Sequence, residues 1–257
     1  MISFGIRFFW RVALTLILIT GIPCTGTVRA AEEKEAGSPE NGDSADRKGL
    51  PLEPERKIEF RTDEGTWLSL DVSPDGTTIV FELLGDLYTL PIDGGEAARI
   101  TSGMGFDSQP AYSPDGEWIA FISDREGSEN VWISRTDGNE AKVLSKDESA
   151  AFASPTWTPD GQYVVTSRSS WGLATFELWM YHIQGGSGVQ LTKAKSDPET
   201  PRNRRHNAIG PRVSPDGRYI YYSRKIGGFQ YNSTFPQWQI ARRDMKTGDE
   251  DVLTQNL

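Results

Sequence analysis

Few residues in this chain could carry chemistry. Histidine occurs twice, at His182 and His206, and cysteine once, at Cys24. A transition-metal site needs three or four imidazole, thiolate or carboxylate ligands, and two distant histidines do not supply them. His182 closes an aromatic run and reads as structural. There is no Gly-x-Ser-x-Gly elbow, no His-x-His pair and no Gly-rich phosphate loop ahead of a helix. No catalytic residue, no metal and no cofactor is therefore expected.

Binding residues are better represented. The segment 193–208 carries Lys193, Lys195, Arg202, Arg204, Arg205 and His206 on an otherwise acidic chain. The planar fork of arginine suits an anion or a carboxylate. The alternative is a solvated insertion whose charges pair with Asp197 and Glu199. A second segment, 224–237, holds Phe229, Tyr231 and Phe235, either as an aromatic contact patch or as packing between sheets. Trp171 is a further contact candidate, although for both Trp171 and Trp67 packing in the core is the first expectation.

The most regular carboxylates are not catalytic. Asp75, Asp115, Asp160 and Asp216 each sit in one phrase: Ser73-Pro74-Asp75-Gly76, Ser113-Pro114-Asp115-Gly116, Thr158-Pro159-Asp160-Gly161 and Ser214-Pro215-Asp216-Gly217. Proline pre-sets the first central φ of a type I turn, Asp suits the second position, and Gly takes the left-handed position that follows. These are structural hairpin corners. They start 40, 45 and 56 residues apart, roughly the period of a propeller blade.

The elements around the corners recur in order. A short stretch precedes each, as in Pro110-Ala111-Tyr112. An apolar run follows, as in Trp118-Ile119-Ala120-Phe121, then an alternating run such as Val131-Trp132-Ile133-Ser134. A Gly turn and a short fourth run complete the unit. Four short strands per unit predict an all-β β-propeller of four-stranded blades, at about 66–101, 107–145, 153–192 and 209–254. Antiparallel connection would put every Pro-Asp-Gly corner on one face and the long irregular connections on the other, where binding is expected.

These blades resemble the TolB-like (WD-repeat-like) β-propeller family. The resemblance covers about residues 56–257. Similar blades precede secreted amidohydrolases, tricorn-type proteases and prolyl oligopeptidase relatives. Phe60-Arg61-Thr62-Asp63, Gly85-Asp86-Leu87-Tyr88 and Gly94-Gly95-Glu96 look most similar to amidohydrolase-associated propellers. The resemblance implies a periplasmic setting and partners in the envelope. One blade type serves many functions, so it does not imply an activity.

Residues 1–30 read as a secretory signal, with Arg7 and Arg11 at its start, an apolar centre, and Val28-Arg29-Ala30 as the cleavage site. The apolar run is short for a membrane span, so no stable membrane insertion is expected after cleavage near Ala30. Residues 31–57 are a polar, acidic linker. Ile58-Glu59-Phe60-Arg61 would be a stray strand from a preceding blade. The four blades are expected to be part of a six- to eight-bladed ring, with open sheet edges and an open apolar face. Without the signal, 24 basic residues face 36 acidic ones, which argues against nucleic acid as a partner. Two readings of function stay open. One is an exported, non-catalytic module that binds a protein or peptide. The other is the substrate-gating propeller of a secreted hydrolase, with further blades and a catalytic domain supplied elsewhere.

Overall fold

The computed structural model describes residues 60–170, 175–194, 199–227 and 238–254. It holds four antiparallel sheets of four strands each, in sequential order, a partial β-propeller. Blade 1 is β1 (Leu70–Val72), β2 (Thr78–Leu83), β3 (Asp86–Pro91) and β4 (Ala98–Arg99). Blade 2 is β5 (Asp107–Tyr112), β6 (Trp118–Ser123), β7 (Asn130–Arg135) and β8 (Lys142–Val143). Blade 3 is β9 (Ala150–Trp157), β10 (Tyr163–Ser170), β11 (Phe176–His182) and β12 (Val189–Gln190). Blade 4 is β13 (His206–Val213), β14 (Tyr219–Ile226), β15 (Gln239–Asp244) and β16 (Glu250–Val252). The first strands β1, β5, β9 and β13 touch in that order and form the inner wall.

Each corner is a small hydrogen-bonded machine, which explains its full sequence. The Ser or Thr hydroxyl donates to the Asp Oδ1 at 2.5–2.6 Å in all four copies. The same oxygen accepts the backbone N–H two residues on, at 3.0–3.1 Å. The hydroxyl oxygen in turn accepts the first N–H of the next strand. The glycines have φ near +70°, a conformation that costs an L side chain about 1–2 kcal/mol. The hydroxyl bond is the main reason that all four aspartates are held below the ordinary carboxylate range. The corners lie side by side: a Cβ on Gly116 would sit 3.5 Å from Pro74, and one on Gly217 would sit 3.9 Å from Pro159.

The blades are joined by one packing rule. Cross-strand partners share a face, so each blade has one face toward the blade before it and one toward the blade after it. Val80 and Leu87 of blade 1 bury against Tyr112, Ile119, Phe121 and Trp132 of blade 2. Ala120, Ile122, Val131 and Ile133 then meet Phe152, Trp157, Val164 and Tyr181 of blade 3. Val165 and Leu178 meet Ile220, Tyr222 and Ala241 of blade 4. The forward faces of blades 1 and 3 are aliphatic, that of blade 2 adds Trp118, and the backward faces of blades 2, 3 and 4 carry aromatics.

Two faces have no neighbouring blade among the described residues. On the backward face of blade 1, Leu70 is 56% and Val72 is 41% exposed, and Phe81 stacks on Tyr88 at 5.7 Å. Trp67, expected in the core, is 91% exposed with φ 62°. It enters blade 1 where that uncovered face begins, so no sheet is there to receive its ring. Phe60 is also exposed, and Phe60 and Arg61 form no strand. On the forward face of blade 4, the position held by Ala120 in blade 2 is Tyr221, and its cross-strand neighbours are Arg212 and Arg242.

Phe81 and Phe121 hold the same place in their blades but not the same burial, Phe121 being fully buried. Phe121→Ala is expected to cost about 3–5 kcal/mol and Phe81→Ala less than half of that, by denaturant titration of the full chain. Gly161→Ala meets no side chain, so it is expected to cost only the left-handed strain of about 1–2 kcal/mol. Thermal melting of Gly161→Ala beside Gly161→Asn, which should be milder, checks this.

Candidate functional site

A groove of about 340 Å³ runs along the inner wall, lined by 69–71 of blade 1, 109–112 of blade 2, 154–157 of blade 3 and Arg212 of blade 4. All four blades contribute to it, and it is large enough for a small ligand. Its wall is built by a repeated irregularity. Gln109 (φ 54°), Ser154 (φ 55°) and Gly210 (φ 70°) are left-handed residues, and each is followed by a proline: Pro110, Pro155 and Pro211. The register of the inner strand shifts at each of the three places, as a β-bulge does when it re-aims side chains.

The bulges are pinned from the preceding blade. The Gln109 N–H donates to Glu82 Oε2 at 2.6 Å and to Ser69 Oγ at 3.0 Å, while Ser69 Oγ donates to the same carboxylate at 2.5 Å. The Gln109 side-chain oxygen then accepts the Ser154 N–H at 2.7 Å. Ser167 Oγ accepts the Gly210 N–H at 3.2 Å. Two further bonds cross the wall: the Tyr112 N–H donates to Asp71 Oδ2 at 2.8 Å, and the Trp157 indole donates to the Ala111 carbonyl at 3.0 Å. Left-handed backbone at a glutamine and a serine is costly and persists only where its surroundings over-determine it. Here the capping side chains do so. Burial, followed by the negative charges of Asp71 and Asp75, pushes the Tyr112 phenol up to about 12.

The residues singled out in the sequence are dispersed. Arg202 and Arg204 are exposed on a one-turn 3-10 helix, Arg202–Arg204. Arg205 is half-buried, and its Nε donates to the Thr200 carbonyl at 3.4 Å. His206 is the first residue of β13, not part of the loop in which the sequence places it. Both of its ring nitrogens lie 3.1 Å from Arg224 Nη2. It lines a separate cavity of about 10 Å³, room for about one water molecule. Arg202, Arg204 and Arg205 do not reach that cavity or the groove. Trp171 and Tyr231 lie outside the described residues, as do Lys195, Phe229 and Phe235.

No catalytic arrangement forms around these groups. Among the described residues neither histidine hydrogen-bonds a hydroxyl or a carboxylate, and no three His, Cys, Asp or Glu side chains converge as metal ligands. His182 accepts the Gln184 N–H and meets the Tyr163 ring edge-on. The groove can hold and orient a ligand; its one described hydroxyl–carboxylate pair, Ser69 with Glu82, is engaged in capping the Gln109 N–H. Sequence reading missed the groove, although the residue–proline pair four places before three of the corners was visible.

His206 titrates below its ordinary value, first because of burial and then because of the Arg224 charge. The unfolded chain therefore takes up the proton first as pH falls. Stability held above the unfolded histidine value, about 6.5, is lost on acidification through the folded value. His206→Gln is expected to flatten this part of the stability–pH curve, read by denaturant titration at several pH values.

Comparison with known proteins comes to the same architecture. The family model for the Tricorn protease N-terminal beta propeller domain matches residues 70–206. An uncharacterized protein of Agrobacterium fabrum is 36% identical over 97 residues, covering 36% of this chain and 33% of that protein. The Tol-Pal system protein TolB of Francisella tularensis subsp. mediasiatica is 28% identical over 201 residues, covering 58% of this chain and 43% of TolB. This chain thus spans less than half the length of the curated relatives it matches. The crystal structure of TolB from Acinetobacter baumannii superposes with a TM-score of 0.56 at 21% identity, covering 73% of this chain and 43% of that one. A TolB-assigned structure from Agrobacterium tumefaciens gives 0.56 at 22% identity, covering 73% and 61%. At these identities the superpositions speak for the fold alone.

Proposed function

Since this chain belongs to the family of the Tricorn protease N-terminal β-propeller domain and is built as a TolB-like propeller, we propose that it is an exported, non-catalytic module that binds a protein or peptide. The ligand enters from the long-loop face and seats in the inner groove. One observation carries this reading: a groove of about 340 Å³ is lined by equivalent positions of all four blades. Blades that merely packed would need no bulge in β5, β9 and β13. Arg202 and Arg204, exposed ahead of β13, are candidate contacts for a partner that extends beyond the groove. The basic, apolar and small-residue pattern of 1–30 supports export to the periplasm. Among the described residues no helix is long and apolar enough to cross a membrane. The relatives named as components of the Tol-Pal system support a partner in the cell envelope.

A second reading is favoured by the family's own description as the propeller of a protease. In it the groove admits extended substrates to a hydrolase domain, and this chain supplies selection rather than chemistry. The two readings share the groove and differ in what lies beside it. Coding sequence for a hydrolase domain in continuity with these blades would favour the second.

Thr156 stands half-buried in the groove wall. Thr156→Trp is expected to fill the groove and to weaken binding to a defined peptide library by about tenfold or more, a loss of about 1.4 kcal/mol, with an unchanged circular dichroism spectrum. Undiminished binding would place the site elsewhere. The purified chain is expected to turn over no amide, ester or peptide substrate, and steady hydrolysis removed by a single substitution would overturn the non-catalytic reading.

A further inference from the structure

The four positions two residues before each corner are Asp71, Ala111, Thr156 and Arg212, and all four line the groove. Only the two outer ones are charged, and they have opposite signs. Neither makes an ion pair among the described residues. One oxygen of Asp71 accepts the Tyr112 N–H, leaving the other without a described partner. Arg212 is exposed and donates from Nη1 only to the carbonyl of its neighbour Pro211, at 3.1 Å. Its cross-strand neighbour's partner, Arg242, is by contrast paired with Asp251 at 3.0 Å.

The main chain of the wall between the charges offers few free N–H groups, and the donors left there are side chains, Gln109 Nε2 and the Ser154 and Thr156 hydroxyls. Pro110 and Pro155 line it and carry no N–H, and the N–H groups of Gln109, Tyr112 and Ser154 are already engaged by protein side chains. A ligand that spans the two charges brings an acceptor for Arg212 and a cation for Asp71. An extended peptide brings N–H groups at every residue, and its two ends supply the charges.

We infer that the groove holds a short peptide with both ends free, its ammonium toward Asp71 and its carboxylate on the Arg212 fork. This rests on the groove being the binding site, as proposed above. A guanidinium–carboxylate contact is charge-assisted and planar, so an amide in place of the carboxylate loses both features.

Calorimetric titration of the full chain with trialanine, N-acetyl-trialanine and trialanine amide tests this. Each cap is expected to weaken binding by about tenfold. Arg212→Gln should erase the difference between acid and amide while keeping the penalty for acetylation, and Asp71→Asn should do the reverse. Both side chains lie outside the buried clusters, so folding should be preserved, and circular dichroism checks it. Equal binding of free and capped peptides that Thr156→Trp still abolishes would overturn the assignment of the charges and leave the groove in place. Discrimination that survives Arg212→Gln would also overturn it. No binding of any of the three peptides would overturn the inference together with the groove.

Discussion

A four-stranded sheet has two faces, and in this chain both are apolar over most of their area. Water can be excluded from both only by stacking sheet on sheet, and that constraint organises the molecule. Forward faces offer aliphatic side chains such as Val80, Leu87 and Val165. Backward faces answer with larger ones such as Phe121, Trp132 and Tyr181. The fit between large and small side chains is what a densely packed interior requires. The same rule explains the exceptions. Leu70 and Val72 are exposed because the face they share has no neighbour among the described residues.

Radial stacking has a second consequence at the inner wall. The first strands of successive blades lie side by side, and β5, β9 and β13 each depart from a regular ladder there. Bulges at Gln109, Ser154 and Gly210 mark the departures. Their freed N–H groups would be costly if buried alone, and each is capped by a side chain of the blade before. The bonds that tie blade to blade thus also set the wall of the groove. A rigid wall suits binding, because its polar groups are held in place before a ligand arrives.

Much of the fold was legible in the chain because hairpin chemistry is local. A Ser or Thr, a proline, an aspartate and a glycine in four consecutive places fix a corner whatever surrounds it. The alternating runs on either side fix the strands. The sheet order and the all-β class followed from repetition of that unit. The site was less legible. The arginines drew notice because charge stands out in a sequence, yet Arg202 and Arg204 sit on a surface turn and His206 pairs with Arg224. Trp67 was expected inside because large aromatics usually are, but burial needs a neighbour, and a lone strand entry has none.

The sequence by itself determined the hairpin corners, the four-stranded repeat and the scarcity of catalytic groups, since each depends on residues close together in the chain. Only the tertiary structure decided which residues face the axis. Asp71 and Arg212 stand far apart in sequence, and the bonds Glu82 to Gln109 and Gln109 to Ser154 span 27 and 45 residues. No local pattern reports on them, because they arise from the angle and offset at which one sheet stacks on the next.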